Sequence, residues 1–322
     1  MKKKIKWFLL LIVFGVVVLL LYVKLALPNV GELEYLSIEP TEKRLERGKY
    51  LANHVSVCID CHSTRNWNEF SGPLVEGTLG KGGEVFDQKY GFPGAFYSKN
   101  ITAFGIGKWT DAEVLRAIAS GVSKDGKALF PIMPHPNFGK MDKEDLISII
   151  VYLRSLRPIE NIVPESKADF PMNFIINTIP KAPNYSTIPS KNDAVAYGGY
   201  LFNAASCSEC HSKQEKGKPI EGMELAGGFE FPMATGGIAI SSNITQDKET
   251  GIGKWTEADF VNRFKFYTDS TYVSYKVAKG SFNTTMPWTM YGGMKEEDLK
   301  AIYAYLKTVK PIHNSVNKFV SQ

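Results

Sequence analysis

Apolar and polar positions divide the chain into a leading segment and two similar halves. Lys2, Lys3, Lys4 and Lys6 give way to Trp7–Val23, 17 residues without a charge, and Leu25 to Leu27 extend the run past Lys24. A helix rises about 1.5 Å per residue, so about 20 apolar residues cross a hydrocarbon core of roughly 30 Å. The run therefore predicts a transmembrane helix over residues 1–27. A signal peptide shares the basic start, but its apolar part is usually only about 7 to 15 residues and ends at a small-residue cleavage site. Leu25-Ala26-Leu27 supplies no such site, so the length favours an uncleaved anchor. The lysines keep the amino terminus in the cytoplasm, which sends everything after Pro28 across the membrane.

Beyond a juxtamembrane stretch at 28–40, helical periodicity appears twice. Thr41 to His54 and Asp193 to Ala205 each read as a helix leading into a cysteine. Thr110 with Glu113, and Thr256 with Asp259, form capping-box patterns that start further helices. Leu146, Ile149, Ile150 and Leu153, and then Leu299, Ile302, Tyr303 and Leu306, trace the apolar face of a last helix in each half; both halves then meet a proline, Pro158 and Pro311. Between them lie long Gly- and Pro-containing stretches such as Gly72 to Gly94, which a small domain stabilises only by packing them on something large.

The halves are one text written twice. G-K-Y-L answers G-G-Y-L, N-I-T recurs at Asn100 and Asn243, and G-I-G-K-W-T recurs from Gly105 and Gly251. Met133-Pro134 and Met286-Pro287 each precede an E-D-L whose leucine lies 13 residues after the methionine. The offset drifts from 149 at the cysteines to 143 at N-I-T, 146 at the tryptophans and 153 at the methionines, so insertions fall between motifs. A duplicated all-α domain is predicted, at 41–160 and 191–322, joined by a Pro-rich, extended linker at 161–190.

Charge adds an exclusion. The net charge is +5, yet the five lysines of residues 1–27 account for it, and the remaining 33 basic residues balance 33 acidic ones. No basic groove for nucleic acid is supported.

All four cysteines sit in two five-residue copies, C-I-D-C-H at Cys58–His62 and C-S-E-C-H at Cys207–His211. Positions three apart share one face of a helical turn, so both sulfurs face one object and the histidine follows them. The pattern suits two covalent haem c groups, with thioether bonds from Cys58, Cys61, Cys207 and Cys210 and proximal iron ligands His62 and His211. A zinc site would want two further ligands, and a thioredoxin-like motif would sit in an alternating strand and helix pattern that is not found here. A disulfide framework, open to a chain outside the cytoplasm, does not ask for duplicated C-x-x-C-H.

Met133 and Met286 are the candidate distal iron ligands. A thioether favours ferrous iron, raises the potential and leaves no coordination position for substrate. The competing reading is a pliable core methionine, which suits Met141 and Met294 at a helix start. His54 and His135 are rival imidazoles at the first site; Ala204 or Ala205 and Trp288 stand at their places in the second copy. Trp109 and Trp255, beside Lys108 and Lys254, supply donors suited to buried haem propionates, or serve as plain core residues at a helix entrance. Asn100, Asn184, Asn243 and Asn283 open nominal glycosylation triplets that turn chemistry explains equally well.

N-I-T, G-I-G-K-W-T, M-P and a last helix ending Y-L-R-S-L or Y-L-K-T-V resemble, over about residues 41–312, the cytochrome c subunits of membrane-bound alcohol, gluconate and related sugar dehydrogenases. The resemblance implies two tandem class I cytochrome c domains behind the transmembrane helix, carrying two haems on the residues named above. It further implies a single-pass protein of the inner, cytoplasmic membrane with its haem domains on the periplasmic side. Its partners would be a periplasmic dehydrogenase and a quinone or terminal oxidase, with electron transfer and no catalysis of its own. Those subunits usually carry three haem domains where this chain has two, which leaves the partner and any quinone-reducing role open. The alternative is a dihaem enzyme, such as a peroxidase or a thiosulfate-oxidising cytochrome. That would need an open or unusually ligated iron, against which the matched Met-Pro pairs argue.

Overall fold

The computed structural model describes residues 2–215 and 217–321. Helix α1 (Lys2–Leu25) is 24 residues long with no buried residue, exposed except at half-buried Val23, and long and apolar enough to cross a membrane. An anchor and a signal sequence share that property.

The predicted helices form, with boundaries shifted by a residue or a few. In the first half, α2 (Glu42–Tyr50) runs on through a wider turn at Leu51–Val55 into α3 (Cys58–Cys61), followed by α4 (Asp111–Ser120) and α5 (Lys143–Ser155). A short α6 (Met172–Ile175) lies between the halves. The second half repeats the plan with α7 (Ala194–Ala204), α8 (Cys207–His211), α9 (Glu257–Lys265) and α10 (Glu296–Leu306). Both capping boxes are made, Thr110 with Glu113 and Thr256 with Asp259. Such caps satisfy the otherwise orphaned N–H groups of the first turn, which fixes where each helix begins.

Two helix pairs organise the core: α2 crosses α5, and α7 crosses α10. Each crossing turns on a glycine. A Cβ on Gly48 would sit 1.8 Å from the Ser148 carbonyl oxygen, and one on Gly198 would sit 1.8 Å from that of Ala301. Only bare Cα atoms permit this approach, and it seals Leu51, Leu146 and Ile149, and likewise Leu201, Leu299 and Ile302, from water.

The all-α expectation needs correction, because small antiparallel sheets accompany the helices. Strands β1 (Val85–Phe86), β2 (Gly94–Tyr97) and β3 (Lys167–Ala168) form one, and β4 (Gln214–Glu215) pairs with β5 (Lys218–Pro219). In the second half β6 (Glu230–Pro232), β7 (Ile238–Ile240) and β8 (Phe319–Val320) form another. The third strand of each larger sheet arrives from beyond the last helix of its half and ties down a long Gly-rich loop. Strands of two to four residues are too short to leave an alternating signature in sequence. The linker differs from expectation too, since 161–190 contains β3, α6 and a tight helical turn at Ile176–Thr178.

The halves meet through reciprocal contacts. Tyr50 Oη donates to Asp298 at 2.5 Å, and its counterpart Tyr200 donates to Asp145 at 2.6 Å. Each carboxylate is almost fully buried and also bonded within its own half. Asp145 receives two bonds from Arg47, at 2.8 and 2.7 Å, and Asp298 one from Tyr197 at 3.1 Å. Burial, together with these carboxylates, drives both interface phenols far above the ordinary tyrosine range. His54 Nδ1 donates to the Met290 carbonyl at 2.9 Å, and Asn203 donates to the Asn137 carbonyl at 2.9 Å.

Candidate functional site

Each C-x-x-C-H motif begins at a backbone outlier. Val57 and Ser206, the residues just before the first cysteine of each copy, have φ of 44° and 53°. A β-branched valine in the left-handed region is costly, so the surrounding fold must impose it. The turn redirects the chain into α3 and α8, which carry the cysteines.

The four thiols are unpaired, with three half-buried and Cys210 exposed. Protein nonetheless surrounds them closely enough for desolvation to push Cys58, Cys61 and Cys207 up to about 12 and Cys210 up to about 11. Three half-buried cysteines and one exposed one leave the sulfurs reachable, as attachment to a bulky group requires.

The histidines are more specific. His62 Nδ1 bonds the Lys99 carbonyl at 2.6 Å, and His211 Nδ1 bonds the Ser242 carbonyl at 2.8 Å. A carbonyl only accepts, so Nδ1 carries the proton and Nε2 presents its lone pair. Burial lowers the pKa of both rings, which keeps them neutral. This is the state an imidazole needs to bind iron, and the second hydrogen bond fixes its orientation.

Lys99 and Ser242 each precede an N-I-T, which explains that motif. Asn100 Oδ1 accepts from Thr102 N and Oγ1 at 3.0 and 2.7 Å, while its Nδ2 donates to the Ile159 carbonyl at 2.8 Å. Asn243 repeats this with Thr245, at 2.9 and 2.7 Å, and with the Ile312 carbonyl at 2.8 Å. Each asparagine thus clamps the histidine-holding carbonyl to the segment after the last helix. Asn100, Asn243 and Asn283 are buried and bonded, which removes three of the four nominal glycosylation sites. Gly82 and Gly227 close the same loops from the other side. Both have positive φ, and both donate to a histidine carbonyl at 2.8 Å, of His62 and His211 respectively.

Met133, Met286 and Trp109 are half-buried against the shared core, and Trp255 is 37% exposed at the start of α9. Trp109 and Trp255 fix their helix entries through carbonyls that accept from Arg154 and Tyr303. Met141 and Met294 are fully buried. Of the rival imidazoles, His54 is bound through Nδ1 to the Met290 carbonyl, whereas His135 is buried with its Nε2 unpartnered and its ring against Gly121, where an added Cβ would meet it at 2.5 Å.

Two features carried no sequence signal. Each motif leans on the opposite half: Asn137 Nδ2 donates to Glu209, between Cys207 and Cys210, at 3.3 Å, and the turn before Cys58 meets the second half through His54 and Met290. Tyr291 Oη donates to the Ala205 carbonyl at 2.8 Å. The second is an asymmetric tie: Ser71, from the first half, donates to the Met286 carbonyl at 2.5 Å and accepts from Trp288 N at 3.2 Å.

Residues 195–310, which contain Cys207, Cys210 and His211, match the cytochrome c family model. The chain thus carries a cytochrome c domain, the kind of domain that holds haem c covalently. It is 26% identical over 293 residues to the cytochrome c subunit of the quinone alcohol dehydrogenase of Gluconacetobacter polyoxogenes, covering 85% of this chain and 58% of that one. It is 26% identical over 283 residues to the gluconate 2-dehydrogenase cytochrome c subunit of Pantoea cypripedii, covering 82% and 59%. A dihaem cytochrome c-type protein of Cereibacter sphaeroides is 25% identical over 266 residues, covering 79% and 82%. The chain spans little more than half the length of the dehydrogenase subunits it matches.

Proposed function

We propose that the protein is a membrane-tethered dihaem c-type cytochrome passing electrons from a periplasmic dehydrogenase to the respiratory chain, through quinone or an oxidase. The observation that carries this reading is the repeated, carbonyl-held histidine in each half, His62 on Lys99 and His211 on Ser242. Cys58, Cys61, Cys207 and Cys210 would hold two haems by thioether bonds. His62 and His211 would offer neutral Nε2 atoms to an iron, and Met133 and Met286 would supply thioether sulfurs to it. Trp109 and Trp255 serve as propionate partners at the helix entries. Bound haem c supplies a reversible one-electron couple. The protein's part is to exclude water, to hold the histidine rings on their carbonyls and to join the two halves across the interface. The helix α1 anchors the two domains, 41–160 and 191–322, to the inner membrane on its periplasmic side.

The dehydrogenase partner is supported by the alcohol and gluconate dehydrogenase cytochrome subunits among the relatives. Haem quantification should give two per chain, and carbon monoxide should bind neither reduced iron rapidly. Met133→Ala and Met286→Ala should each open one iron and lower its potential. Rapid carbon monoxide binding by the unmodified protein would favour an enzyme such as a peroxidase, and one haem per chain would end the dihaem reading. Co-purification from membranes then names the donor or acceptor.

A further inference from the structure

From Phe170 to Pro180 the chain runs for eleven residues without a charge and includes Phe170, Met172, Phe174, Ile175, Ile176 and Ile179. The apolar side chains are not buried in either half. Phe170 is 82% exposed and Ile175 45%, values at which large apolar groups in water are costly. The segment is nonetheless held in place from both directions. β3 pairs with β2 of the first half, and the Asp169 N–H donates to the Pro93 carbonyl at 2.9 Å. On the other side Asn177 Nδ2 donates to the Val23 carbonyl at 3.2 Å, and Lys24 Nζ lies 5.8 Å from the centre of the Phe174 ring.

Those contacts fix its level relative to a bilayer. Tyr22 and Lys24 are residue types that settle at the membrane–water boundary, and Trp7 and Lys6 mark the opposite boundary of the same helix. Residues 7 to 26 span about 28 Å along the axis at 1.5 Å per residue, close to the roughly 30 Å of a hydrocarbon core, which puts the outer boundary near Ala26. Val23 therefore lies about one turn inside the outer boundary, and α6 is held at that level with it. Asp169 and Lys181 flank the run, with Lys167 two residues further out, so its boundaries are charged while the run itself is not.

We propose that residues 170–179 form a second membrane contact, with Phe170 and Ile175 inserted at the boundary of headgroups and acyl chains. The proposal rests on the reading of α1 as an uncleaved anchor. A two-point attachment, one through α1 and one through a segment paired to the first half, gives the haem domains a fixed orientation over the bilayer where a lone helix would leave them free to swing.

The test uses the full-length haem-loaded protein in liposomes of phosphatidylethanolamine and phosphatidylglycerol. The four native cysteines are consumed by haem, so Phe170→Cys, Ile175→Cys, Val17→Cys and Glu249→Cys each provide one thiol for a nitroxide label. Accessibility to dissolved oxygen is compared with accessibility to a water-soluble nickel chelate. The expected result is an oxygen-to-chelate ratio at 170 and 175 several-fold above that at 249 and below that at 17. Water-like ratios at 170 and 175 beside a bilayer ratio at 17 would overturn the proposal and leave the anchor intact. Protection from both reagents at 170 and 175 would mean a protein partner covers them, and would overturn it equally. A water-like ratio at 17 would remove both the anchor and the proposal.

Discussion

Ser71→Ala should loosen the second haem site while leaving the first untouched. The Ser71 hydroxyl bridges the Met286 carbonyl at 2.5 Å and the Trp288 N–H at 3.2 Å, and no counterpart reaches the Met133 loop among the described residues. Without the hydroxyl, that N–H keeps its 2.9 Å bond to the Met286 carbonyl, and the carbonyl loses its stronger partner. Removing a hydrogen-bond partner from a largely buried group costs about 1 to 2 kcal/mol, and one or two kcal/mol changes an equilibrium by about 5- to 30-fold. If Met286 binds iron, its dissociated form becomes more populated by about that factor. Added imidazole should then bind one iron of the ferric variant about 5- to 30-fold more tightly, and the far-red sulfur-to-iron band should weaken by at most half. Variant protein with both haems attached, whose imidazole affinity is unchanged or rises equally at both irons, would refute the reasoning.

Three further outcomes follow from the packing. Gly48→Ala or Gly198→Ala places a methyl 1.8 Å from a carbonyl where ordinary contact begins at 3.4 Å, so the helix pair must separate. The cost should be about 3 kcal/mol, read as a lowered denaturant midpoint of the holoprotein. Tyr50→Phe and Tyr200→Phe each remove a bond to a buried carboxylate and should cost about 1.5 to 3 kcal/mol, with cleavage at exposed sites of the linker accelerating under limited proteolysis. His54 is half-buried at the interface, and desolvation, aided by Lys265 and Lys49, lowers its pKa. The unfolded chain therefore takes up the proton first, and stability should fall as pH drops from about 6.5 towards the depressed native value. His54→Gln should flatten that part of the profile; an unchanged profile would assign the acid sensitivity elsewhere.

The helices and the chemistry were legible because they repeat. Periodicity located α5 and α10, and the capping boxes marked where α4 and α9 start, because these signals are local. C-x-x-C-H stood out by occurring twice, and the cytochrome c family model covers the second occurrence. The reciprocal pairs were invisible, since Tyr50 and Asp298 are 248 positions apart and neither residue type announces a partner. Asn100 and Asn243 were noticed for their triplets, but their work as clamps depends on carbonyls far along the chain. The small strands went unseen because they are set by what loops need to lean on, which is a property of the assembled fold. Segment 170–179 read as linker because its apolar residues follow no sustained period.

The reciprocal tyrosines carry a consequence for the history of the chain. A freshly duplicated gene yields two copies that can each be lost or moved independently. Once Tyr50 satisfies Asp298 and Tyr200 satisfies Asp145, cutting the gene in two would strand a phenol and an acid on either fragment. If the two halves arose by duplication, these crossed pairs would act as a ratchet that ties both halves into a single inheritable unit.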